Sequence, residues 1–103
     1  MHELTNTQRQ YLRRLAHDLK PVVQIGKQGL TEQALASIDR TIEARQLIKI
    51  KFLDFQDQKQ ELSETIAEQL NSILVGVVGN VAILYREQPD PEKRKVELPA
   101  AHN

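Results

Sequence analysis

The segment Val22-Val23-Gln24-Ile25-Gly26-Lys27-Gln28-Gly29 decides the fold, because it joins a short apolar run to a glycine-flanked loop. The apolar residues at its start predict a buried strand, and a helical pattern resumes at Thr31. Two glycines let a backbone approach a ligand closely, and the free N–H groups at a helix start attract phosphate. Because Lys27 adds a positive charge, the loop is a candidate phosphate site. The alternative is a tight turn that needs glycine only for its backbone angles.

A helix is predicted on either side of this segment. Thr5 and Gln8 have the spacing of a capping box, and apolar residues then recur at helical intervals. Lys20-Pro21 should end this first helix, since the residue before proline avoids the α region. The second helix is predicted from Thr31 to Ala44, with one apolar face directed to the core.

Further strands are predicted downstream. Apolar and charged residues alternate from Leu47 to Phe52, as in a strand with one covered face and one solvated face. A third helix follows, whose acidic side carries Glu61, Glu64 and Glu68. The apolar runs 73–78 and 81–85 are separated by Gly79-Asn80, which is a strong hairpin signal.

The predicted element order is α-β-α-β-α-β-β, which belongs to the α/β class in its two-layer α+β form. The β-α-β segments imply parallel pairs with right-handed crossovers, and the final hairpin adds an antiparallel strand. We therefore expect a four-stranded mixed sheet with helices on one face and a partly open opposite face. Residues 1–86 are predicted to form a single domain, and residues 87–103 a loose tail in which Val96 and Leu98 could dock back.

Composition excludes several classes of function. The chain has 103 residues and no cysteine, so one domain without disulfides or thiolate metal sites is expected. No apolar run approaches the roughly 20 residues that cross a bilayer, and we expect a soluble cytoplasmic protein. No nucleotide-binding loop of the standard kinds and no catalytic constellation is indicated, so neither an enzyme nor a cofactor or metal site is predicted.

Charge is balanced overall but segregated along the chain. Fourteen basic and fourteen acidic residues give a net charge of zero. Residues 1–53 carry nine Lys or Arg against five Asp or Glu, whereas residues 54–88 carry two against six. One basic surface is therefore a reasonable expectation. Its candidate members are Arg13, Arg14, Lys20, Lys49, Lys51 and Arg86. The alternative for the strand lysines is that they only keep a sheet surface soluble.

Three segments together carry a family resemblance. Residues 19–32 (LKPVVQIGKQGLTE), 47–51 (LIKIK) and 81–86 (VAILYR) resemble the signature of the CRM domain (chloroplast RNA splicing and ribosome maturation). The resemblance extends from about Leu4 to Leu98, and a single domain of this length is similar to the bacterial YhbY-like branch. Its order of motifs is more specific than the glycine loop alone. The neutral net charge and Asn80 in the last hairpin depart from the family pattern, in which basic character is common.

The resemblance implies a fold similar to the C-terminal domain of bacterial translation initiation factor three. It also implies RNA binding and association with precursors of the large ribosomal subunit, with Gly26, Lys27, Gln28 and Gly29 as the RNA contact. A monomer that contacts RNA phosphates, and possesses no catalytic activity, is our first hypothesis. The second is a protein-interaction module whose acidic third helix, Glu61 to Glu68, docks on basic ribosomal proteins.

Overall fold

The computed structural model describes residues 3–100. Its three α-helices are α1 (Asn6–His17), α2 (Glu32–Arg45) and α3 (Lys59–Gln69). Its four strands are β1 (Val23–Ile25), β2 (Leu47–Phe52), β3 (Ile73–Val78) and β4 (Val81–Tyr85). Short 3-10 helices cover Gln56–Gln58 and Pro91–Lys93. The predicted order of helices and strands is confirmed. None of the described helices is both long enough and apolar enough to span a bilayer.

The first two helices begin at side-chain caps. The Thr5 hydroxyl accepts from the Gln8 amide at 3.1 Å, and the Gln8 side chain accepts from the Thr5 amide at 3.1 Å, which completes the predicted capping box. The Thr31 hydroxyl accepts from the Ala34 amide at 3.0 Å at the start of α2. These bonds fix both helix starts, and the second one sets where the glycine loop ends.

The sheet has the strand order β1-β2-β4-β3. β1 runs parallel to β2, and β4 is antiparallel to both β2 and β3. The predicted four-stranded mixed sheet is therefore confirmed. The expectation of more than one parallel pair is wrong, because β4 of the final hairpin inserts between β2 and β3 and separates them.

Both faces of the sheet carry helices. Ile48, Ile50 and Phe52 of β2 pack with α2 and α3 in the larger of the two hydrophobic clusters. Leu47 of β2 points to the other face, where Leu12 and Ala16 of α1 cover it. The expectation that all helices lie on one face is wrong for α1. The physical reason is that the second face of the sheet is apolar too, and an apolar face is stable only when another element buries it. Its apolar residues are Leu47, Val75, Ile83 and Tyr85.

A bulge interrupts the pairing of β3 with β4 between Leu74 and Gly76. Arg9 of α1 reaches this bulge and donates from Nη1 to the carbonyl oxygens of Leu74, at 2.9 Å, and Val75, at 2.6 Å. The guanidinium thus binds two carbonyl groups at an irregular point of the ladder and fixes α1 against β3.

The segment after Arg86, for which a loose tail is predicted, is attached to the domain over part of its length. The buried Gln46 side chain accepts from the amides of Lys95 and Val96 and donates to the Val96 carbonyl at 3.2 Å. Val96 and Leu98 pack against the cluster under α1. Gln46 itself has a φ of 67°, and its own carbonyl accepts from the Arg86 amide at 2.8 Å. The expected tail also includes residues 101–103, which lie outside the described part of the chain.

Candidate functional site

The loop between β1 and α2 is a closed turn. The Gly29 amide donates to the Gly26 carbonyl at 3.0 Å, and the Thr31 amide donates to the Gly29 carbonyl at 3.1 Å. Gly29 has a φ of 72°, a left-handed conformation that side chains other than glycine adopt only at a cost. Gly29 is therefore required by the turn itself, whatever else the loop does.

Gly26 differs from Gly29 in its backbone conformation and in the space around it. Its φ lies outside the left-handed region, and a Cβ built on it would meet no atom within 4 Å. Neither backbone strain nor internal packing thus calls for glycine at this position. What the absent side chain leaves is open space over the loop backbone, where another molecule can approach.

The tip of the loop presents donors to solvent. Lys27 and Gln28 are exposed, and among residues 3–100 their backbone amides donate to no protein acceptor. The first amides of α2 also lack partners inside the helix. Together with the Lys27 ammonium they place free donors and positive charge at the loop and the start of α2, which suits an anion. Glu32, in the first turn of α2, is exposed and puts a negative charge at the same helix start.

Phe55 lies behind the loop and is not among the residues that the sequence predicts for the site. A Cβ at Gly29 would be 3.3 Å from Cε2 of the Phe55 ring, so the ring lies against the turn. Phe55 has a φ of 57° and a ψ of 34°, and 41% of its surface is exposed. The only sign of Phe55 in the sequence is that it is an aromatic residue in the polar segment between β2 and α3. The order of residues along the chain does not reveal that this segment passes the glycine loop.

Two of the predicted basic residues meet on the α1 face of the sheet. Arg13 and Lys49 line one shallow hollow, together with His17, Pro21, Val78, Val81 and Ile83. The Lys49 ammonium donates to the carbonyls of His17, at 3.2 Å, and Leu19, at 3.0 Å. Lys49 therefore bonds the carbonyl of the last residue of α1 and a second carbonyl just beyond the helix, and it is half-buried on a face that was expected to be solvated.

The remaining candidates near this hollow are less concentrated. Lys51 is exposed on the same face of β2, two residues closer to the loop, and pairs across the sheet with Gln24 and Val81. Lys20 lines a neighbouring groove, which shares Pro21 with the hollow. Arg14 is exposed on α1 and lines neither depression. The basic residues thus form a dispersed face and not a single dense patch.

Comparison with known proteins places the chain in a family. The sequence matches the CRS1 / YhbY (CRM) domain over residues 4–86. The chain belongs to the CRM domain family. The matched range contains all four strands and the whole glycine loop.

Individual relatives agree with this assignment. The chain is 36% identical over 97 residues to the probable RNA-binding protein YqeI of Bacillus subtilis, covering 93% of this chain and 99% of that protein. It is 36% identical over 100 residues to a protein of Haemophilus influenzae named RNA-binding protein, covering 96% and 98%. The solution structure of a Staphylococcus aureus protein superposes with a TM-score of 0.79 at 44% identity, covering 94% of this chain and 100% of that one.

Arg86, the last residue of the matched CRM domain, lies apart from the other candidates. Its guanidinium bonds to Asp39 at 2.7 Å and to Glu43 at 3.1 Å, and it also donates to the Leu70 carbonyl at 2.8 Å. It follows β4 at the end of the sheet opposite the glycine loop, since β4 runs antiparallel to β2. Its side chain is only 15% exposed, and its charge is compensated within the CRM domain.

The acidic residues of α3 are solvated. Glu61, Glu64 and Glu68 of α3 are all exposed, and Glu64 accepts from the Gln60 side chain at 3.3 Å. Within residues 3–100, no three His, Asp or Glu side chains are grouped so that they could hold a metal ion.

Proposed function

We propose that this protein is a non-catalytic factor that binds structured RNA through the Gly26–Gly29 loop and the basic α1 face. The observation that carries the proposal is the open space at Gly26, where the fold has no need of a glycine. Two relatives that match nearly the whole chain are named as RNA-binding proteins, which supports the same conclusion.

The loop would hold RNA through its phosphates. The amides of Lys27 and Gln28, which donate to no acceptor within residues 3–100, and the Lys27 ammonium would supply donors to one phosphate group. Arg13 and Lys51 extend the positive face, and Lys49 retains one of its three N–H donors after bonding two carbonyls. Phosphates carry no sequence information, so these contacts would position the protein on RNA and would not select a sequence.

The family resemblance supports a more particular role, in assembly of the large ribosomal subunit. We therefore expect the protein to sediment with large-subunit precursors when a cell lysate is fractionated on a sucrose gradient in low salt. Recovery only from the top of the gradient would contradict the assembly role but not RNA binding itself.

The loop is tested by two variants that spare the fold. Gly26→Ala adds a methyl group to open space, and Lys27→Ala removes one exposed charge. Both should weaken RNA binding, and Lys27→Ala should lower the salt slope of the affinity by about one unit. The matched control is Lys93→Ala, which removes an exposed charge from the 3-10 helix after the domain.

Affinities are measured by a filter-binding titration from low to physiological salt, with a circular dichroism melt of each variant. If Gly26→Ala and Lys27→Ala fold and bind as tightly as the control, the loop is only a turn. A flat plot of log affinity against log salt would show that phosphates are not the main contact.

A second candidate function is docking on basic ribosomal proteins. The exposure of Glu61, Glu64 and Glu68 along one helix favours it, because no basic partner within the described residues bonds to them. An affinity purification with and without ribonuclease separates the two functions. Partners that survive ribonuclease are held by protein contacts, and partners that are lost are held by RNA.

A further inference from the structure

We infer that Phe55 is a stacking platform for an unpaired nucleobase of the RNA, next to the phosphate held by the Gly26–Gly29 loop. This inference rests on the proposed function and adds to it a contact with a base. It would give the protein a means to distinguish single-stranded or looped RNA from a continuous duplex, whose bases are already stacked.

The backbone around Phe55 is fixed to the strand that leads into the loop. The amides of Leu53 and Asp54 both donate to the Ile25 carbonyl, at 2.9 and 3.2 Å. On the other side, the Gln58 amide donates to the Phe55 carbonyl at 3.0 Å. The ring is therefore carried at a set position beside Gly29 and does not belong to a free loop.

The ring is directed out of the core, although an aromatic side chain would gain most by burial. Phe52, three residues earlier, is fully buried, whereas Phe55 is 41% exposed. Phe55 holds a left-handed backbone conformation, which is unfavourable for a bulky residue, and strained conformations of this kind cluster at functional sites. One part of the ring contacts Gly29, where a Cβ would come within 3.3 Å, and the exposed part is open to a ligand.

The chemistry around the ring selects a base over a phosphate. Asp54 and Asp57 flank Phe55 in the chain, and their negative charges oppose a second phosphate at this point. A nucleobase is uncharged and stacks on an aromatic face whatever its identity. The Phe55 ring lies against Gly29, the last residue of the loop. A nucleotide whose phosphate is bound by the loop amides can therefore bring its own or a neighbouring base to the ring.

The first experiment compares Phe55→Leu with Phe55→Tyr. Both keep an apolar side chain beside Gly29, but only tyrosine keeps a ring. We expect Phe55→Leu to reduce affinity for a single-stranded oligoribonucleotide by about tenfold, with an unchanged salt slope, and Phe55→Tyr to bind as wild type. On an oligomer of the same length whose abasic spacers keep the phosphates, wild type and Phe55→Leu should bind equally.

Equal binding of wild type and Phe55→Leu to the complete oligomer would overturn the inference, and so would an equal loss on the abasic oligomer. The proposed function has its own readout, because Lys27→Ala should weaken binding to both oligomers. If Lys27→Ala loses RNA affinity and Phe55→Leu does not, the proposed function stands and the stacking inference is wrong. Loss of a protein partner from Phe55→Leu without loss of RNA would likewise count against stacking.

The second experiment does not depend on the stability of the leucine variant. The chain has no tryptophan, so Phe55→Trp places a single indole at the site. We expect its fluorescence to be quenched when the single-stranded oligomer binds and to change little with the abasic oligomer. Binding of the complete oligomer without quenching would show that no base stacks at this position.

Discussion

The Arg13 guanidinium lies directly over Gly76 on the α1 face of the sheet. A Cβ at Gly76 would be 2.7 Å from Nη2 and 3.1 Å from Nε of Arg13. The glycine thus leaves room for one of the basic side chains that line the hollow beside Lys49. Because the contact is with the far end of a flexible side chain, the arginine can move away if the space is filled.

We expect Gly76→Ala to displace the Arg13 guanidinium and to weaken RNA binding without altering residue 13. The loss should be similar to that of Arg13→Gln and less than about tenfold, which corresponds to about 1.4 kcal/mol. The double variant should bind no more weakly than Arg13→Gln alone, since both changes act on one group. Additive losses in a filter-binding assay would mean that Gly76 acts by another route.

Arg9→Gln should destabilise the protein. Its guanidinium binds the carbonyls of Leu74 and Val75 through one nitrogen, Nη1, and hydrogen bonding by a charged donor contributes a net of about 1.5–3 kcal/mol. We expect a loss of about 2 kcal/mol in the free energy of unfolding, measured by urea denaturation. Arg14→Gln is the matched control, because Arg14 is exposed on the same helix and should change stability by less than about 0.5 kcal/mol.

Glu32→Gln should strengthen RNA binding. The carboxylate lies in the first turn of α2, where its charge competes with a phosphate for the positive helix start. Charges at a helix end contribute about 0.3–1 kcal/mol, so affinity should rise by roughly two- to fivefold while stability falls slightly. Gln33→Glu is the reciprocal control and should weaken binding. If both variants bind as wild type, phosphate does not approach α2.

Gln46→Ala should release the segment that follows the domain. The buried Gln46 side chain bonds the backbone of Lys95 and Val96, and its loss leaves those groups without a partner. We expect faster amide exchange at Lys95 and Val96, measured by hydrogen–deuterium exchange, and a loss of about 1–3 kcal/mol in stability. Gln69→Ala, at an exposed position on α3, should change neither.

Alkaline pH should destabilise the fold through Tyr85. Burial raises the pKa of the Tyr85 hydroxyl, and the nearby Glu87 carboxylate raises it further, although Arg94 and Gln46 oppose this. The unfolded chain therefore loses this proton first, and stability is complete below about pH 10 and falls as pH rises through the raised pKa. Urea midpoints across this range should fall less for Tyr85→Phe than for wild type. Parallel curves would exclude Tyr85 as the cause.

Local patterns were sufficient to predict most of the fold. The capping box at Thr5, the alternation along β2 and the Gly79-Asn80 turn each act within a few residues, so each could be identified from the chain alone. The position of α1 could not. Val75 and Ile83 made β3 and β4 apolar on both faces, and continuous apolar runs do not state which helix covers which face.

In the candidate site, too, local features could be predicted from the sequence and long-range contacts could not. The glycine loop was identifiable because its residues are contiguous. Charge alone predicts Arg86 as a member of the basic surface, yet Asp39 and Glu43, more than forty residues away in the chain, compensate its charge in the fold. Phe55 was overlooked for the converse reason, since only the parallel pairing of β1 with β2 brings the end of β2 beside the loop. Contacts between distant segments decide both cases.

The Arg9 contact also bears on whether β3 can pair with a strand of a second molecule. β3 lies at one edge of the sheet, and such an edge can template a strand from a second molecule if its ladder is unbroken. Here a bulge breaks the ladder, and the guanidinium already occupies the carbonyls of Leu74 and Val75. β1, at the other edge, has only three residues. Loss of Arg9 should therefore promote aggregation through β3 as well as lowering stability.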